Sequence, residues 1–96
     1  MATGLELIAA EQQRVVEIEG YGPSHNAQHT NNQLPKAAIA YLFLATGDEI
    51  RAGYSWPWDG SYFRPKDAPL RALVKAGALI ASEIDRRQQL EGGKHV

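Results

Sequence analysis

Residues 34–45 read LPKAAIAYLFLA, and apart from Pro35 and Lys36 every side chain is apolar. Twelve residues is too long for an ordinary buried strand and suits a helix of about three turns, with Pro35 in the first turn, where a missing amide proton costs nothing. A helix apolar on every side sits centrally, and its alanines permit close packing against a neighbour. Asn31 and Asn32 stand where caps belong and Gly47 closes the segment, so a helix is expected over 33–46.

Outward from that helix the pattern stays helical. Thr3 is followed three residues later by Glu6, the capping-box arrangement that satisfies free amides at a helix start, and Gly20 supplies a left-handed stop. The reading is a helix over 5–19 with Leu5, Ile8, Val15 and Ile18 as a narrow stripe at the edge of the core. Downstream, Pro69 opens a helix over 68–90 whose stripe Leu70, Leu73, Val74, Gly77, Ile80, Ala81 and Ile84 is expected to be buried. Between Asp48 and Asp67 neither a helical nor a strand period is evident. That stretch holds five of the chain's eight aromatic residues, Tyr54, Trp56, Trp58, Tyr62 and Phe63, within DEIRAGYSWPWDGSYFRPKD. The fold class is therefore all-α: one domain over 1–96, three main helices, and a long aromatic loop over 48–67 packed on one face.

The totals narrow the function. The 96 residues carry a formal charge of −1, with 10 basic and 11 acidic side chains, so the basic excess of a generic nucleic-acid groove is missing. With no cysteine, metal ligands are limited to histidine and carboxylate. The N-terminal segment has no basic start and no run of eighteen apolar residues occurs, which gives an expectation of a cytoplasmic chain without a membrane span.

Two stretches carry the candidate chemistry. HNAQH places His25 and His29 four apart with Asn26 between them, flanked by turn and cap residues and without the glutamate of a zinc helix. Capping and loop hydrogen bonds, a polar ligand, or a metal would each use such residues; the capping reading leads and no metal is expected. WPWDG sets Trp56, Trp58 and Asp59 together, as a lid of the core or as a stacking surface with Arg51, Arg64 or Lys66 within reach of phosphate. Arg71 and Lys75 share one face of the last helix, a like-charge pair that an anion would relieve: Asp59, Asp67, or a ligand group under Trp56 and Trp58. Glu11, Glu17, Glu19, Glu83 and Asp85 are read as a solvated face, with Glu83 and Arg87 an ordinary surface pair.

Together AEQQRVVEIEGYGPSHNAQH, LPKAAIAYL and WPWDGSYFRPKDAPLRALVKAGALIASEIDR resemble a family of small proteins encoded by tailed bacteriophages and prophages. Members of that family read ERQRQ, EGW, HDDxH, GELxxAAxxY, WPW, KP and LVKAGALIxAEIxR. The match spans about Ala10 to Arg87 and departs from the pattern at Asn26-Ala27 and Gln33, where carboxylates are replaced. The resemblance implies a phage accessory protein acting in the host cytoplasm, non-catalytic and without cofactor, binding a host protein or a small nucleotide-like ligand, with the countering of host defence as a use. The alternative is a divergent relative of the all-α nucleotide pyrophosphohydrolases of the MazG type, although their ExxE and ExxD carboxylates are not in place. The expected ligand-binding residues are His25, Asn26, His29, Trp56, Trp58, Asp59, Arg64, Arg71 and Lys75, and a homo-oligomer is expected from the small core.

Overall fold

A computed structural model describes residues 1–60, 63 and 67–90, and among these the chain is all-α. Five helices follow one another: α1 (Gly4–Glu19), α2 (Pro23–Asn26), α3 (Gln33–Ala45), α4 (Glu49–Ser55) and α5 (Pro69–Leu90). Helix α5 is the hub, packing on α1, α2 and α3, while α4 packs on α3. No described helix is long and apolar enough to cross a membrane.

The ends of α1 follow from its sequence. Thr3 Oγ1 accepts from the Glu6 amide at 3.2 Å and Glu6 Oε1 accepts from the Thr3 amide at 2.9 Å, closing the capping box. Gly20 ends the helix at φ 74°. The expected stripe holds only at Ile8 and Val15, which are partly buried, because Leu5 and Ile18 are exposed and the buried residue of α1 is Glu11. At 3.6 residues per turn the Leu5 and Ile18 side chains point about 140° apart, so one contact face cannot bury both. The contacts that fix α1 on α5 fall near its middle, where Gln12 Nε2 donates to Asp85 at 2.8 Å and Arg71 Nη2 donates to Glu11 Oε1 at 2.5 Å.

Helix α3 starts differently from expectation. Asn32 has a left-handed backbone at φ 61° and makes no capping bond with its side chain. Asparagine is one of the few residues that adopts this conformation readily, and here it turns the chain into the helix. The Asn31 amide donates to Gln33 Oε1 at 2.7 Å. One side of α3 buries Leu34, Ala37, Ala38, Ala40, Tyr41 and Leu44, whereas Ile39 and Leu42 face outward. The helix is thus one-sided, and the central place belongs to α5.

Helix α4 lies in what reads from sequence as loop. Asp48 caps it, its Oδ1 accepting from the Arg51 amide at 3.0 Å. Pro57 stops it by holding Trp56 in extended geometry, at φ −64° and ψ 122°.

The core is built of small side chains. Ala38, Tyr41, Leu44, Ala52, Ala72 and Ala76 form the buried cluster, edged by Phe43, Trp56, Phe63 and Leu79. Of the stripe expected to be buried on α5 only Val74 is, while Leu70, Leu73, Ile80 and Ile84 face outward, exposed by 66%, 49%, 45% and 52%. What α5 turns inward is Ala72, Val74, Ala76 and Ala78, together with Glu83 and Arg86. Alanine on both α3 and α5 lets the two backbones approach closely, and that contact excludes the bulkier face.

Candidate ligand-binding cleft

A cleft of about 470 Å³ opens between α1, α2, α3, α5 and the segment after α4. One wall is a continuous run of aromatic rings. Tyr21 stacks on His25 with centroids 4.6 Å apart, His25 meets His29 edge-on at 5.0 Å, His29 meets Trp58 at 5.1 Å, and Trp58 meets Trp56 at 5.2 Å. At the inner end Trp56 packs on Phe63 at 4.8 Å and on Tyr41 at 5.6 Å. Rings in such edge-to-face and offset contacts contribute about 0.5–1.5 kcal/mol per pair beyond the area they bury.

Each ring owes its place to local backbone. The single turn α2 ends in successive backbone bonds, with the Gln28 amide on His25 O and the His29 amide on Asn26 O, so both histidines turn to the same side. Their Nε2 atoms are 3.3 Å apart, one donating and one accepting. The two imidazoles therefore bond each other and stack on neighbouring rings; the capping role read for them from sequence is not what they do. Trp56 is fixed by its indole N–H, which donates to Asp59 O at 2.9 Å.

Charge in the cleft is already matched. Glu11 receives Arg14 through Nε at 2.9 Å and Nη2 at 2.8 Å, and Arg71 as well. Burial pushes its carboxyl up, and these bonds more than offset that, leaving it below the usual range. Lys75 donates to Asp67 and lies over the Tyr41 ring at 5.4 Å. Burial lowers the pKa of His29, with the charges of His25 and Arg86 acting in the same direction. Glu83, like Glu11, is a correction to the solvated-face reading. It is buried and held by Arg86 through Nε and Nη2, each at 2.8 Å, and by Arg87 at 2.6 Å. Those bonds bring its pKa down to about 2.

Of the residues expected to bind a ligand, His25, Asn26, His29, Trp56, Trp58, Asp59 and Lys75 all line this one cleft. Arg71 is tied to it through Glu11. Arg64 lies outside the described residues, as do Tyr62 and Lys66. Sequence reasoning did not place Tyr21, Tyr41, Glu11 or Arg14 here. Tyr41 reads as core, and Glu11 as one more acid on a polar helix. Among the described residues, no group of three or more histidines and carboxylates is arranged to hold a metal ion.

Comparison with protein-family models, curated proteins and solved structures finds no match. The similarity to the phage-encoded family therefore rests on the quoted motifs alone.

Proposed function

We propose that the chain is a non-catalytic accessory protein of phage or prophage type whose cleft binds the flat ring of a small nucleotide-like ligand. The observation that carries this reading is the run of rings Tyr21, His25, His29, Trp58 and Trp56 along one wall of an open cleft. Stacking on such a wall contributes about 1–3 kcal/mol per base and tolerates any base, because every base has a π-face. The cations nearby favour the ring over the phosphate as the recognised part, since Arg14, Arg71 and Lys75 each already serve a carboxylate. The pyrophosphohydrolase alternative loses ground for a related reason. It needs carboxylates free to hold magnesium, and both Glu11 and Glu83 are taken up by arginine pairs.

The test is a thermal-shift and tryptophan-fluorescence screen of nucleosides, mononucleotides and signalling dinucleotides. A ligand at 100 times its Kd stabilises by about 2.7 kcal/mol, and the same ligand should quench Trp58. Binding that survives Trp58→Ala, or flat melting and emission across the whole panel, would overturn the reading and leave a host protein as the partner to seek. Release of pyrophosphate with magnesium would reinstate the enzyme.

A further inference from the structure

The outward face of α5 carries Leu70, Leu73, Ile80 and Ile84, and the gap in that row at Gly77 is filled from α1. A methyl group built on Gly77 would stand 2.5 Å from Ile8 Cδ1, so Ile8 sits directly over the glycine. The result is an unbroken apolar ridge on a molecule that buries alanine and leaves these four larger side chains exposed by 45–66%. We infer that this ridge is the interface between two copies of the chain, paired with their α5 helices antiparallel about a two-fold axis near Gly77.

Three features select a second copy as the occupant. A two-fold contact must be complementary to itself, and the ridge is nearly so: counted from Gly77, Leu70 and Leu73 lie seven and four residues before it, and Ile80 and Ile84 lie three and seven after. Antiparallel pairing then sets Leu70 against Ile84 of the other copy and Leu73 against its Ile80. None of the ridge residues is charged, and the charged neighbours on α5 are satisfied within the chain, Arg71 by Glu11 and Arg87 by Glu83. The area also suffices. In this pairing residues 69–85 of the two α5 helices overlap, a length of about 25 Å, and with α1 beside it the face is about 20 Å wide. Side-chain relief raises that projected area of about 500 Å² toward the roughly 600 Å² per partner at which specific interfaces begin.

The ridge lies about 180° around α5 from Lys75 and Ser82, which face the cleft. Pairing therefore leaves both clefts open, and the inference stands independently of what they bind.

Sedimentation equilibrium of the full chain should give twice the 10.5 kDa of one copy. Leu73→Glu and Ile80→Glu should each halve that mass with helical circular dichroism retained, while Ile50→Glu on α4 leaves it unchanged. Because the chain has no cysteine, mixing Leu73→Cys with Ile80→Cys chains under oxidation reads the pairing even if the glutamate variants unfold. Cross-links between positions 73 and 80 should exceed those between like positions. A single-copy mass at 100 µM wild-type chain, dissociation by Ile50→Glu alone, or a majority of like-position cross-links would each overturn the inference.

Discussion

Lys75 Nζ stands 5.4 Å from the centre of the Tyr41 ring while donating to Asp67, so one ammonium group ties α5 both to α3 and to the segment before it. Of the anions considered from sequence, Asp67 is its partner. Lys75→Met keeps the stem and deletes the charge, leaving Asp67 partly buried without this donor. The expected cost is about 1–3 kcal/mol, measured by urea unfolding. Unchanged stability with lost ligand binding would instead make the ammonium a ligand contact.

Glu83 titrates far below an ordinary glutamate, and the sign of its effect follows. A carboxyl whose pKa is lowered by folding contributes stability above its unfolded value of about 4.5 and loses it as the pH falls toward 2. Melting temperature should decline across that window, with Glu11, also lowered, adding to the slope. Glu83→Gln should flatten the decline while lowering stability at pH 7, because Arg86 remains buried without its charge partner. A slope as steep in Glu83→Gln as in wild type would assign the acid sensitivity elsewhere.

His29 behaves oppositely in charge and alike in direction. Its pKa is lowered by burial and by the neighbouring positive charges, so the neutral ring is the one the fold stabilises. Stability is present above the unfolded value of about 6.5 and diminishes as the pH falls below it. Its Nε2, 3.3 Å from the other imidazole, can then act only as a donor in that contact. Trp58 emission, read from pH 7.5 to 5, is expected to change as His29 takes up its proton and to stay level in His29→Phe.

Gly77→Ala sets helix propensity against space. Alanine gains about 1 kcal/mol over glycine in a helix, but its methyl group would meet both Ile8 Cδ1 at 2.5 Å and Ile8 Cγ1 at 2.7 Å. Overpacking of this kind costs about 1–3 kcal/mol, so the single variant should be destabilised. In an Ile8→Ala background the same change should stabilise. Equal effects in the two backgrounds would show that Ile8 does not rest on Gly77.

The helix ends were largely readable from sequence. Thr3, Glu6 and Gly20 act through bonds to residues within a turn or so, and Pro69 through its fixed φ, none of which depends on the rest of the fold. The direction in which α5 faces was not readable. Hydrophobic period tells which side chains share a face, but not that a face of alanines with one paired glutamate can be the buried one. Helix α4 escaped because seven residues containing Gly53 are too few to show a period. The histidines and tryptophans were each picked out by composition, yet their meeting in one wall depends on how α2 and the segment after α4 lie on α5. Tyr41 and Glu11 joined the cleft only through that tertiary placement.

A helix contact made largely of alanine has almost no rotamers. Ala38 on α3 and Ala72 and Ala76 on α5 lose no side-chain freedom on packing and have no alternative arrangement to adopt. Truncation there removes little, whereas enlargement has nowhere to go. Side-chain torsional freedom is thus concentrated at the aromatic end of the molecule, with the α3–α5 pair as its fixed frame.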